Sequence, residues 1–205
     1  QNLSIFAKFP FVRLLGITGS VSANNAKKND DIDIFIITAP HTLWITRPLF
    51  LLYLEIKGIR RRRGTPLHDQ KDLICPNLWF DGTNLKINKQ DQNIYTAHEV
   101  LQVKPLIDKS QAYQRFLKAN SWVKRFLGNA YSLSIIKTST QQKNSIVWVL
   151  LSPINFVFYI LQRILMFLPT KGEKITYTQA FFHDQNFAKK ILTKAQSQDI
   201  NYNKD

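Results

Sequence analysis

Asp31 and Asp33 stand two residues apart in Asn29-Asp30-Asp31-Ile32-Asp33-Ile34, with ten residues between Asp31 and the turn Thr18-Gly19-Ser20. Residues i and i+2 of a strand point to the same face. The spacing therefore expects Asp31 and Asp33 side by side, with Ile32 and Ile34 on the other face. Two such carboxylates are hard oxygen ligands able to hold Mg²⁺ against a substrate's phosphates. Glycine in the preceding turn lets backbone approach those phosphates closely. The plainer alternative is an ordinary acidic turn opening a strand after an ordinary Gly-Ser loop. The flanking apolar runs argue for the chemical reading.

Those runs are the elements that must position the carboxylates. Residues 11–17 read as an apolar strand leading into Gly19-Ser20, and residues 31–38 as a second strand rich in β-branched side chains. Ala39-Pro40 then opens a helix expected over 41–57, with proline in its first turn. Pro48 inside that helix predicts a kink or a break. Residues 73–80 read as a third strand, Asp81-Gly82 as a hairpin turn, and residues 84–88 as a short strand. Strand, long helix, strand is the crossover pattern of an α/β sheet.

From Tyr95 the pattern turns helical. Thr96 and Glu99 have capping-box spacing, with that helix ending near Lys104-Pro105. Ala112, Phe116, Ala119, Val123 and Phe126 mark an amphipathic helix that Gly128-Asn129 should stop. Residues 145–169 are nearly all apolar but broken by Ser152-Pro153. They read as two helical pieces packed on the rest of the protein, with membrane association as the alternative, because a spanning helix wants about 20 unbroken apolar residues. The tail from Gln196 is polar and expected to fray. The expected organisation is an α/β unit over 1–94 and a helical C-terminal region over 95–205.

Composition narrows the classes. At 205 residues, 44% apolar and 12% aromatic, the chain can build a core, which excludes wholesale disorder. It opens on Gln1 and holds one methionine, Met166, which reads as a processed or partial chain. The single cysteine, Cys75, allows no internal disulfide and fits a reducing, cytoplasmic compartment. It reads as a packing residue. His41, His68, His98 and His183 lack zinc-type spacing and read as surface or capping residues. A formal charge of +14 favours polyanions such as nucleotides, RNA or an anionic membrane without choosing among them. Arg60–Arg63 could grip a nucleic-acid backbone, or could be the solvated end of a helix. No Gly-x-Gly-x-x-Gly and no Gly-Lys-Ser/Thr run competes with the carboxylate pair.

The run GSVSANNAKKNDDIDIFII resembles the signature of the nucleotidyltransferase superfamily with the DNA-polymerase-β fold, Gly-[Gly/Ser], a spacer, then Asp-apolar-[Asp/Glu]-apolar. A longer stretch from about Phe9 to Ala130 holds TGS, NDDIDIFIITAP, LWITRPL, the arginine run, ICPNLWF, IYTAHEV and NSWVKRFLGNA. In that order they are similar to a prokaryotic group of nucleotidyltransferase-domain proteins. The resemblance implies a polymerase-β-like mixed sheet with packed helices. It also implies Mg²⁺ or Mn²⁺ on Asp31 and Asp33, and nucleoside triphosphate held by Thr18, Gly19, Ser20 and Lys27, with Lys28 as a further contact or a plain loop residue. The activity implied is transfer of a nucleoside monophosphate to a hydroxyl on a small molecule, a protein or an RNA end, with pyrophosphate leaving.

Members of that superfamily usually supply a third carboxylate from a neighbouring strand. Strand alternation places Asn77 there in this chain, with Asp72 as the alternative and Asp81 and Glu99 as further candidates. An amide is a neutral and weaker ligand than a carboxylate. A second reading is therefore a weakened module of the same fold that binds nucleotide or RNA in a regulatory or toxin–antitoxin-like system. A third is a membrane-peripheral protein held by residues 146–168 and its basic surface.

Overall fold

In the computed structural model of the chain, residues 3–136, 146–166 and 173–182 are described. The expectations for His183, for the tail from Gln196 and for the ends of the 145–169 stretch lie outside them. The fold is mixed α/β: one six-stranded sheet with helices on both faces. Its strands are β1 (Val12–Ile17), β2 (Ile32–Thr38), β3 (Ile74–Phe80), β4 (Lys104–Asp108), β5 (Lys174–Ile175) and β6 (Gln179–Phe181), in the order β4-β1-β2-β3-β6-β5. The pair β2–β3 is parallel and the other pairs are antiparallel. The helices are α1 (Gly19–Ser22), α2 (Leu43–Ile56), α3 (Ile94–Gln102), α4 (Ala112–Ala119), α5 (Lys124–Ser134), α6 (Ile146–Leu150) and α7 (Ser152–Leu165).

Alternation along β2 splits the core in two. Phe35 and Ile37 pack with Phe80, Val100, Phe116 and Trp122 on one face. Ile34 and Ile36 pack with Trp44, Phe50, Leu54 and Trp79 on the other. Helices α3, α4 and α5 contribute to the first cluster, and α2 and α7 to the second. The stretch expected to be helical after residue 94 also supplies β4, β5 and β6.

Several local expectations are corrected. Pro40 precedes α2 rather than opening it, because His41 has a left-handed φ of 57° that no helix continues through. Pro48 does not break α2, which runs unbroken for 14 residues. Proline has no N–H for the carbonyl four residues back, here that of Trp44. Gln162 Nε2 of α7 donates to that oxygen at 2.6 Å in its place. Residues 84–88 form no strand. Their backbone bonds to side chains instead: Ile87 N–H donates to Asn120 Oδ1, Leu85 O accepts from Asn120 Nδ2, and Lys86 O accepts from Gln179 Nε2.

Asn93, not Thr96, caps α3, its Oδ1 accepting from the Thr96 amide at 2.9 Å. The long amphipathic helix divides at Asn120, whose backbone leaves the helical region. The break changes the phase, so Leu117 and Trp122 are buried while Phe126 is exposed. Gly128-Asn129 does not stop α5, which continues to Ser134 past a non-helical Leu127.

Candidate functional site

The backbone brings the predicted residues together at the start of β2. Asp31 lies just before the strand and Asp33 two residues on, on the face of Phe35 and Ile37. Thr18 N–H donates to Asp33 O at 2.9 Å, which fastens the Gly-Ser turn to the carboxylate strand. Gly19 follows with φ +65°, and a Cβ there would fall well inside contact distance of Asp33 Oδ2. Only glycine meets both conditions. The turn opens α1, a single helical turn, which presents free amides but little dipole.

Of the residues expected on phosphate, Ser20 through its hydroxyl and Lys27 through its amide both bond to Asp30. The Lys27 amide donates to Asp30 Oδ2 at 2.9 Å. That bond, with a second from the Ser20 hydroxyl, holds Asp30 below the usual carboxylate range. The residues Lys27 and Lys28 are exposed in the loop.

Two residues that sequence reasoning left out of the site join it. In the parallel register Cys75 lies beside Asp33, and ligand atoms of Asp31, Asp33 and Cys75 lie within 4.8 Å of one another. Arg61 reaches the same place: its Nε is 3.0 Å from Asp31 Oδ2, an ion pair without hydrogen-bond alignment, and its Nη1 donates to Cys75 Sγ at 3.3 Å. Its backbone is set by pairing with the start of β3, where Arg61 N–H donates to Ile74 O. The rest of the arginine run is paired as well, Arg60 and Arg62 with Glu55 and Arg63 with Glu173. These contacts leave the run short of free charge for a nucleic-acid backbone.

Asn77 is buried and its Nδ2 donates to Asp33 Oδ1 at 2.7 Å, while its Oδ1 is buried without a hydrogen-bond partner. Asp72 sits in the exposed turn before β3, with a left-handed φ of 61°. Asp81 is at the far end of β3 and accepts from the amides of His41, Thr42 and Leu43, so it caps α2. That occupation removes it as a third carboxylate. Glu99 of α3 is largely buried, which raises its carboxyl above the usual range, and its charge acts on Asp33.

Burial first, then the Asp31 charge, pushes Asp33 up to about 7, with the Asn77 bond opposing. Burial likewise pushes the Cys75 thiol up to about 12, against the pull of Arg61. Such a site sets two carboxylates against each other, and Arg61 offsets that repulsion chiefly at Asp31. The Asp31 and Asp33 oxygens are hard donors that suit a divalent cation, and the partnerless Asn77 Oδ1 could add a neutral oxygen, while the thiol of Cys75 and the Arg61 guanidinium beside them add no hard ligand.

No family model and no curated protein matches the chain. Among solved structures it is similar to one described as a toxin–antitoxin crystal structure with AMP-PNP, at 19% identity over 64% of this chain and 90% of the other, with a TM-score of 0.35. At that score the likeness carries no argument about what the site does.

Proposed function

We propose that the chain is a Mg²⁺- or Mn²⁺-dependent nucleotidyltransferase of polymerase-β-like type. It moves a nucleoside monophosphate from a nucleoside triphosphate to a hydroxyl acceptor. The observation that supports this is the packing of Gly19 against Asp33, with Asp31 on the same face. It would let the half-buried Gly19-Ser20 turn and two carboxylates meet one triphosphate.

In this reading Asp31 and Asp33 hold the cation, which when bound neutralises the phosphates and activates the acceptor hydroxyl. Amides at the start of α1 donate to phosphate oxygens. The acceptor oxygen forms a bond to the α-phosphorus as the bond to the bridging oxygen breaks, and pyrophosphate leaves. Glu99, rather than a β3 carboxylate, is the third acid and takes the hydroxyl proton. Arg61, 3.0 Å from Asp31, would be the nearest side-chain cation to the phosphates.

One observation favours the second reading, a weakened nucleotide-binding module. The residues of β3 beside Asp33 are Cys75 and Asn77, and Arg61 already neutralises Asp31. The two readings separate when the protein is incubated with each labelled nucleoside triphosphate, Mg²⁺ or Mn²⁺, and a cell extract. Transferred label that disappears in Asp31→Asn/Asp33→Asn supports the enzyme, and Glu99→Gln should lower it strongly. Nucleotide binding without transfer supports the module, and neither result overturns both.

A further inference from the structure

Helix α7 is amphipathic in the reverse sense for a surface helix in water. Its polar side chains Asn155 and Gln162 are buried against α2, and Ser152 lies by Tyr177. Asn155 Oδ1 accepts from the Trp44 amide at 2.8 Å, and Gln162 Oε1 accepts from Arg47 at 2.9 Å. The apolar side chains Ile154, Val157, Leu161, Ile164 and Leu165 point outward, each at least half exposed. Helix α6 continues this with Ile146, Val147, Val149 and Leu150, and α2 exposes Leu49, Leu52 and Ile56. Scattered exposed apolar residues need no explanation, but a contiguous helical face of them marks an interaction site.

Among the described residues, the charges on and beside these helices are mainly basic. Helices α6 and α7 contain no acidic residue. Arg13 of β1 stacks on Trp148 of α6, Lys57 follows α2, and Lys8 follows a turn whose Phe6 packs on Phe50 and Tyr53. The acids in this region, Glu55 and Glu173, are already ion-paired with arginines. An apolar helix face flanked by basic residues fits an anionic lipid surface, which takes the side chains into its acyl boundary and attracts the rim. The 14 residues of α7 cover about 21 Å against a hydrocarbon core of about 30 Å, and among the described residues no helix is long and apolar enough to cross a membrane.

We propose that the outward face of α6 and α7 docks the protein on an anionic bilayer, the two helices lying in the interface plane. The surface is independent of the carboxylate site and stands whatever that site does.

The test is flotation of the full chain with phosphatidylcholine vesicles and with vesicles that also contain phosphatidylglycerol. The expected result is binding to the anionic vesicles alone, weakened by salt. The expected loss is tenfold or more, roughly, in Val157→Lys/Leu161→Lys, because each side chain leaves an apolar environment for a charged one. Both positions face outward, so the variant should keep the wild-type circular dichroism and thermal midpoint. Leu133→Lys, an exposed change on α5, should bind like wild type. The proposal is overturned by failure to bind anionic vesicles, by equal binding to neutral ones, or by unchanged binding in the double variant. A wild-type dimer in sedimentation that the double variant dissolves also overturns it, because a second copy would then cover the face.

Discussion

Gly19 couples turn geometry to the carboxylates more tightly than any other residue. Its left-handed backbone alone would cost an alanine about 1–2 kcal/mol, and the added methyl would push Asp33 aside. Gly19→Ala should therefore lose stability in urea by at least that amount and weaken Mn²⁺ binding in titration. Asp33 carries the pH dependence. Its folded value of about 7 lies above the roughly 3.9 of an unfolded aspartate, so the fold prefers it protonated. That contribution is fully present below about pH 4 and is lost as pH rises through 7. Asp33→Asn, which never ionises, should therefore gain stability relative to wild type between about pH 5 and pH 8 in urea unfolding. Mn²⁺ should reverse that difference at the higher pH. Asn77→Asp would replace a donor to Asp33 with a third negative charge, so it should destabilise the metal-free protein and tighten Mn²⁺ binding. Unchanged Mn²⁺ affinity would place Asn77 outside the metal's reach.

At the scale of elements, α2 depends on side chains far away in sequence. Asp81 holds the Leu43 amide, and Asn155 holds those of Trp44 and Ile45, so the first turn is capped from β3 and α7. Gln162 supplies the donor that Pro48 lacks. Gln162→Leu removes the donor to the Trp44 carbonyl and the acceptor of Arg47 Nη1, and should cost about 1–3 kcal/mol. Pro48→Ala restores a backbone donor to Trp44 O, so the same leucine change should cost less in that background. A double-mutant cycle with coupling below about 0.5 kcal/mol would refute the explanation. The polar contacts that let α2 tolerate its proline also turn α7 so that its apolar side chains face outward.

For the whole molecule, the charge of +14 is what remains after 14 acids are set against 28 Lys and Arg, and the arginine run, paired with Asp31, Glu55 and Glu173, contributes little of it. Binding of nucleotide to the folded state alone must raise the unfolding midpoint. At a hundredfold excess over Kd the gain is about 2.7 kcal/mol, or roughly 5–10 °C for a chain of this length. Differential scanning fluorimetry with Mg²⁺ and each nucleoside triphosphate should show that shift, and Asp31→Asn/Asp33→Asn should abolish it. A shift that survives in the double variant would put the nucleotide elsewhere.

The sequence by itself determined β1, β2 and β3, the long α2, and the facing of Gly19 to the carboxylate strand at Asp33. Each depends on local rules: apolar runs of strand or helix length, alternation with period two, and a glycine where φ is positive. It also determined the break at Pro153 that separates α6 from α7. The tertiary structure alone decided the rest. The edge strand β4 has an exposed pattern and contains Pro105, so nothing local marks it as a strand, and pairing with β1 creates it. Cys75 and Arg61 enter the site through the parallel register of β2 and β3 and the short pairing at Arg60. Register between strands some forty residues apart depends on both partners at once. The burial that lifts Asp33, and the turning of Asn155 and Gln162 inward, likewise depend on neighbours that no single segment contains.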